Sequence, residues 1–310
     1  MMVKWVNIAK GIAIFLVVYG HVIDGLADSG YTFASYEVQH GIIYSFHMPL
    51  FFFLSGLFFD NMLKRELLTV IKSRALSLLY PYFLWGIIQG SIMAILSKFT
   101  NSGAGWEKVL LLPIDPFGQF WYLYDLFFMI LLYLGLYKLV KNKSTVLIFA
   151  IAAFVATPFM DMWEFSRIFH HFIFLVLGAM FFDFESWFEV KKIRIFIVLI
   201  IASLCSFWAG LNLLNFLIFG LVGTGITVVL AKIVRNNRFL ELLGIKSLSI
   251  YLFHILALAG SRIVLTKFWG FENIPILIVT LTIIGILLPL IADNVAERLK
   301  MTKYIYGKGA

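Results

Sequence analysis

The sequence predicts an all-α fold, a polytopic bundle of transmembrane helices. Hydrophobic residues make up 62% of the 310 residues, charged residues only 14%, and the mean hydropathy is +0.95. A soluble domain has roughly half apolar and a quarter charged residues. The apolar residues also occur in successive runs of about 20, the length that crosses about 30 Å of hydrocarbon as a helix. We therefore expect a multi-pass membrane protein.

Ten such runs follow one another along the chain. The first is not a typical signal peptide, because Lys10 interrupts its apolar stretch and no small-residue cleavage site follows His21. The predicted spans are 6–24, 39–59, 75–97, 119–138, 144–160, 166–183, 194–210, 213–232, 240–262 and 275–294. No soluble stretch separates them. We expect one integral membrane domain over residues 1–310, without a soluble accessory domain.

The basic residues predict the orientation of this bundle. Of the 25 Lys and Arg residues, twenty fall on one side of the predicted spans and five on the other, namely Lys98, Lys108, Arg167, Arg262 and Lys267. By the positive-inside rule both termini are cytoplasmic. The net charge of +8 thus reflects topology, with attraction to anionic lipid head groups as a second consequence. We expect no nucleic-acid partner.

The first span carries two ionisable residues, Lys10 and His21, in an otherwise apolar helix. Eleven residues are three helical turns, so the two side chains share a face and lie about 16 Å apart along the axis. A snorkelling lysine and an interfacial histidine are the ordinary alternative. Ionisable groups within membrane helices are more typical of functional paths. Asp24, three residues after His21, could accept a hydrogen bond from the imidazole ring.

Five stretches of the chain resemble the acyltransferase type 3 family. They are WVNIAKGIAIFLVVYGH in the first span, FHMPLFFFLSG in the second, IKSRALSLLYPYF before the third, FWYL at the start of the fourth, and LGIKSLSIYLFH, which ends at His254. The first includes the family's basic residue and later histidine. Two positions depart from the family pattern, since Asn7 stands where an aspartate is common and Ser77 where a second arginine is common.

The resemblance implies a bacterial inner-membrane enzyme that moves acyl groups, usually acetyl from acetyl-CoA, onto cell-surface carbohydrates. The chain looks most similar to fucose acetylases and exopolysaccharide O-acetyltransferases. Acyl transfer from a thioester to a hydroxyl needs a base and cations that hold the CoA phosphates. We expect His21 to be the general base, with direct attack by the hydroxyl favoured over an acyl-imidazole. Asp24 is expected to orient it, and His47 is a second catalytic candidate with a structural role equally open.

The expected CoA-binding residues are Arg74, Lys72 and Lys10, with Arg74 and Lys72 at the phosphates and Lys10 at either a phosphate or the pantetheine arm. Arg74 is the first choice because its planar fork grips a phosphate with two hydrogen bonds. Since topology alone explains most basic residues of a membrane protein, the placement of these three in family motifs near span entrances is the reason to select them.

Four further residues are expected to line the acceptor site, namely Trp121, Tyr122, Asp125 and His254. An aromatic belt is the ordinary explanation for the first two, and the FWYL motif is the reason to include them. His254 lies deep in a span, so it is buried in protein, and a structural role is as open as a role in the site. We expect no metal, because the chain has a single cysteine and the adjacent His170 and His171 point to different helix faces.

A carrier or flippase for a polysaccharide precursor is the alternative function. Polar residues at two depths of a membrane also suit a transport path. Transporters commonly show paired repeats with broken helices, and the two halves of this sequence show no convincing similarity. The sequence therefore favours an enzyme.

Overall fold

The computed structural model describes residues 4–95, 105–160, 165–182, 212–234 and 236–307. Within these ranges the chain is helical and has no β-strand. The all-α fold class predicted from composition is confirmed. Eight helices of the described part are long and apolar enough to cross a membrane, and the predicted span 194–210 lies outside it.

The helices are numbered in chain order. The first seven are α1 (Lys4–Ala27), α2 (Tyr36–Gly56), α3 (Phe59–Leu63), α4 (Leu67–Arg74), α5 (Tyr80–Ile95), α6 (Glu107–Leu110) and α7 (Trp121–Val140). The second seven are α8 (Lys143–Ala156), α9 (Phe165–Phe182), α10 (Asn212–Ile233), α11 (Arg238–Ile245), α12 (Ser247–Ile263), α13 (Ile274–Arg298) and α14 (Thr302–Tyr306). Two π-helical turns, Ala75–Leu79 and Val264–Phe268, follow α4 and α12.

Three helices begin at an asparagine that serves as the N-cap. The side-chain oxygens of Asn142, Asn237 and Asn273 each accept a hydrogen bond from the backbone N–H three residues later, at 3.0–3.1 Å. Such caps satisfy one of the backbone donors that a helix start leaves without a partner. They set the starts of α8, α11 and α13.

The predicted span 240–262 is wrong as one continuous helix. The helix is interrupted at Lys246, which lies between the end of α11 and the start of α12. The Lys246 ammonium lies 2.6 Å from Asp293 of α13 and also binds Glu297. Burial alone would lower the pKa of Lys246, but its hydrogen bonds with the two carboxylates raise that pKa overall. The ion pairs hold Lys246 at the break, and the membrane-spanning segment runs from Ser247 to Phe268 instead.

The chain forms two compact units. The first comprises Met1–Ala9, Tyr44–Lys72 and Asp125–Asn236, and the second comprises Lys10–Ile43, Ser73–Tyr124 and Asn237–Ala310. In the first unit, α2 and α9 approach closely at two glycines: a β-carbon on Gly56 or Gly178 would lie about 2 Å from a carbonyl oxygen of the other helix. Small residues at such crossings are the usual means of packing membrane helices.

In the second unit, the C-terminal helix α14 is tied to α5 by backbone acceptors. The Tyr80 hydroxyl donates to the carbonyl of Tyr304 at 2.7 Å, and the Trp85 indole N–H donates to that of Ile305 at 3.1 Å. Gly307, with φ of 75°, follows directly and packs on the carbonyl of Leu76 in the first π-helical turn. The C-terminal segment thus supports the turn that follows Arg74.

Candidate active site

Helix α1 carries the two residues on which the sequence hypothesis depends. Lys10 and His21 both lie within it, separated by three turns and about 16 Å along the axis. Gly11, next to Lys10, packs directly against α11, since a β-carbon there would lie 2.0 Å from the Leu240 carbonyl oxygen. The close contact fixes the position of α1 beside α11 at the level of Lys10.

His254 of α12 lies beside His21, with ring centroids 5.2 Å apart. Its side chain is fully buried. The Nδ1 atom is 2.8 Å from the carbonyl oxygen of Tyr251 and 3.0 Å from that of Ile250. The pairing of His21 with His254 was not predicted, because the two residues lie 233 positions apart in the sequence.

Two buried glutamines hold this part of α12. Gln89 of α5 donates to the carbonyl of Leu252 at 2.6 Å, and Gln119 donates to the Gln89 side-chain oxygen at 2.9 Å. The hydroxyl of Tyr251 in turn donates to the backbone carbonyl of Gln119. Buried amides are expected to be hydrogen-bonded in this way. Both glutamines were missed by the sequence analysis, although their rarity within apolar spans is a signal that could have found them.

A cavity of about 170 Å3 opens next to His21. Its charged and polar lining consists of His21, Asp24, Asp28 and Arg262, and the rest of its wall is contributed mainly by apolar side chains of α12. The Arg262 guanidinium donates to the backbone carbonyl of Gly25 on the facing helix α1. Sequence analysis assigned Arg262 to topology only, and the structure brings it to the same cavity as His21.

Asp24 has partners from α2. It accepts a hydrogen bond from the Tyr36 hydroxyl at 3.2 Å and lies 3.7 Å from Nε2 of His40. It is also within electrostatic range of His21. A hydrogen bond from the His21 ring to Asp24 stays a prediction.

Lys10 and Arg74 approach one another at the other end of α1. Both are half-buried, and their charges lie within electrostatic range. Arg74 is the last residue of α4, and Ser77 in the following π-helical turn donates to the Arg74 carbonyl at 3.3 Å. Two cations held together in a membrane protein favour an anionic ligand. Lys72, the third predicted phosphate ligand, is exposed on α4.

Comparison with known proteins identifies the family of the chain. A family model described as an acyltransferase domain matches residues 3–293 of the chain. The chain belongs to this acyltransferase family.

Two curated relatives match part of the chain. The nodulation protein NolL of Mesorhizobium japonicum is 28% identical over 126 residues, which cover 39% of this chain and 32% of the relative. The nodulation protein NolL of Sinorhizobium fredii is 30% identical over 120 residues, 38% of this chain and 32% of the relative. The matched stretch spans about a third of the length of these relatives. No solved structure matches the chain significantly.

The first compact unit holds two further predicted site residues, Asp125 and His47. Asp125 is fully buried and forms a two-pronged ion pair with Arg167, at 2.6 Å and 3.0 Å. His47 is buried, packs edge-on against Tyr44 at 4.8 Å, and lies within electrostatic range of His171. Their roles in substrate binding and catalysis stay predictions.

Tyr122 belongs to the same unit as His21 and His254. It is half-buried and its ring lies 5.9 Å from that of Tyr251. Trp121 is half-buried beside it at the start of α7. Their part in acceptor binding stays a prediction. Among the described residues, no group of three or more His, Cys, Asp or Glu side chains could hold a metal ion.

Proposed function

We propose that this acyltransferase moves an acetyl group from cytoplasmic acetyl-CoA to a hydroxyl of a cell-surface carbohydrate or its lipid-linked precursor. The observation that carries the proposal is the cavity beside His21, whose lining adds Asp24, Asp28 and Arg262. Such a wall offers one base, two acceptors and one donor group to a molecule rich in hydroxyls. Family membership supports acyl transfer as the chemistry.

His21 is the proposed general base. It takes the proton of the acceptor hydroxyl while the hydroxyl oxygen attacks the thioester carbonyl carbon. The new carbon–oxygen bond forms, the carbon–sulfur bond breaks, and the proton passes from His21 to the departing CoA sulfur. Asp24 lies within electrostatic range of the ring and is the carboxylate proposed to orient it.

Lys10 and Arg74 are the proposed ligands of the donor's phosphates, with Lys72 at the cytoplasmic surface as an additional cation. The two half-buried cations lie near one end of α1 and His21 near the other, about 16 Å away. A long donor with phosphates at one end and a thioester at the other suits this separation. Aromatic faces at Trp121 and Tyr122 suit a sugar ring.

The test is acetyl transfer by the purified protein in lipid nanodiscs. Labelled acetyl-CoA is supplied with envelope glycans from the source bacterium, and the acetylated hydroxyl is identified by mass spectrometry. His21→Gln is expected to lower transfer by about 10²–10⁴-fold, the usual contribution of a general base. His170→Gln, a histidine change in the other unit, is the matched control. Full activity of His21→Gln would overturn the role given to His21.

The same assay, repeated in sealed lipid vesicles, separates the enzyme from a carrier. A flippase would move the glycan precursor across the vesicle membrane without any labelled acetyl appearing in it. The proposal places the enzyme in the bacterial inner membrane, where cytoplasmic acetyl-CoA and lipid-linked precursors meet. Twenty of the 25 basic residues fall on one predicted side, which supports an orientation with both termini in the cytoplasm.

A further inference from the structure

The tautomer of His254 is set by its backbone partners. Nδ1 faces two carbonyl oxygens, those of Ile250 and Tyr251, and a carbonyl can only accept a hydrogen bond. Nδ1 of the neutral ring must therefore carry the proton. Nε2 is then left with a lone pair, which makes it a hydrogen-bond acceptor.

That acceptor has no hydrogen-bond partner among the residues that the structure describes. Nε2 of His254 is buried, and the whole residue has no exposed surface. Leaving a buried polar atom without a partner costs about 1–3 kcal/mol. Native proteins keep few such atoms, and a redox or catalytic role is one reason for keeping one.

His21 is a neighbouring group with a proton to offer. The two rings are 5.2 Å apart between centroids and tilted by 40°. That separation is compatible with a hydrogen bond of about 2.7–3.2 Å between a nitrogen of one ring and a nitrogen of the other. Building on the proposed function, we propose that His254 is a positioning residue that accepts a hydrogen bond from His21 through Nε2.

The consequence is a defined tautomer for His21. The nitrogen that donates to His254 carries the proton, so the other nitrogen has its lone pair free for the acceptor hydroxyl. After His21 takes the hydroxyl proton, both of its nitrogens carry hydrogen, and the bond to His254 persists while the second proton goes to the CoA sulfur. A histidine here does the orienting that a carboxylate does in a Ser-His-Asp triad.

The surroundings of His254 make it a rigid acceptor. The glutamine network of Gln89 and Gln119 binds the backbone of α12 at Leu252 and the hydroxyl of Tyr251. Those residues lie within one helical turn of His254. The network therefore fixes the ring that His21 has to meet, and Asp24 remains available to Tyr36 and His40.

Two variants of His254 test the role. His254→Phe keeps a planar ring but removes the acceptor, whereas His254→Gln keeps a side-chain oxygen that can accept a hydrogen bond. We expect His254→Phe to lower kcat by about 10²-fold or more, by analogy with the loss of an orienting group. The KM values for acetyl-CoA and acceptor should remain near wild type, and His254→Gln should recover part of kcat.

The outcomes separate the positioning role from the proposed function. His254→Phe with wild-type kcat, beside an inactive His21→Gln, would overturn the role of His254 and leave the proposed function standing. Equal loss of kcat in His254→Phe and His254→Gln would also overturn it. An active His21→Gln would instead contradict the proposed function itself.

A second measurement does not depend on activity or on the folding of the phenylalanine variant. In ¹⁵N-histidine spectra of the wild-type protein, His254 is assigned by the peak that His254→Gln removes. We expect its proton on Nδ1 and a hydrogen-bonded, unprotonated Nε2. A proton on Nε2 would overturn the proposal.

Discussion

Gly11 allows α1 to lie against α11, and Gly11→Ala is expected to push the two helices apart. A β-carbon at this position would lie 2.0 Å from the Leu240 carbonyl oxygen, whereas ordinary van der Waals contact begins at 3.4 Å. The obstructing atom belongs to the backbone of a capped helix and cannot swing away as a side chain would. α1 must therefore move by about 1.4 Å.

The displacement should reduce activity more than stability. Overpacking of this kind costs about 1–3 kcal/mol, and alanine recovers up to about 1 kcal/mol through its better helix propensity. A displacement of about 1 Å at a catalytic centre can cost about 10²-fold in rate. Because Lys10 adjoins Gly11 and His21 lies on the same helix, we expect acetyl transfer to fall by about 10–100-fold with only a modest loss of thermal stability.

The matched control is Gly135→Ala. Gly135 lies inside α7, and a β-carbon there would meet no heavy atom within 4 Å. This variant should keep full activity and gain up to about 1 kcal/mol. Both variants are measured by labelled acetyl transfer and by thermal unfolding in the same nanodiscs. If Gly11→Ala behaved like Gly135→Ala in both assays, the close approach of α1 to α11 would be refuted.

Three further predictions concern the cavity, the helix break and the donor site. Gly25→Ala puts a β-carbon 2.7 Å from the Arg262 guanidinium, so this flexible side chain should move and raise KM for the acceptor several-fold while Tm stays near wild type. Lys246→Met should lower Tm because Asp293 loses its cation, and adding Asp293→Asn should restore part of the loss. Because the pKa of Lys246 is raised in the folded protein, the stabilisation by its ion pairs is fully present below the ordinary pKa of 10.5 and is lost as pH rises through the higher folded pKa. A difference in Tm between wild type and Lys246→Met that already disappeared below pH 10.5 would contradict this. Arg74→Ala should weaken CoA binding by about tenfold or more in calorimetry, with Arg74→Lys intermediate, and unchanged affinity in both would remove Arg74 from the donor site.

Local properties of the sequence were enough to predict most of the helices. The alignment of Lys10 and His21 on α1 follows from helical period alone, and run lengths predicted the spans. The break at Lys246 could not be predicted in that way, because apolar content carries no information about a partner such as Asp293 on another helix. The predicted continuous span 240–262 failed for this reason.

Contacts between distant helices account for the rest of the site. The meeting of His21 with His254 and the arrival of Arg262 at the same cavity depend on how α1 and α12 pack. For Asp24, the sequence offered only the neighbouring His21 as a partner. The structure adds Tyr36 and His40, both supplied by α2.

The length of the π-helical turn Ala75–Leu79 determines the direction of the Arg74 side chain at the proposed donor site. Such a turn holds one residue more than the regular helix, and each residue of a helix rotates the chain by about 100°. Deleting one residue from the turn would leave a continuous helix into Pro81. Arg74 would then be rotated by about 100° about the helix axis, away from its present direction toward Lys10. The number of residues between Arg74 and Pro81 therefore determines the direction in which the Arg74 guanidinium points, independently of which residues fill the turn.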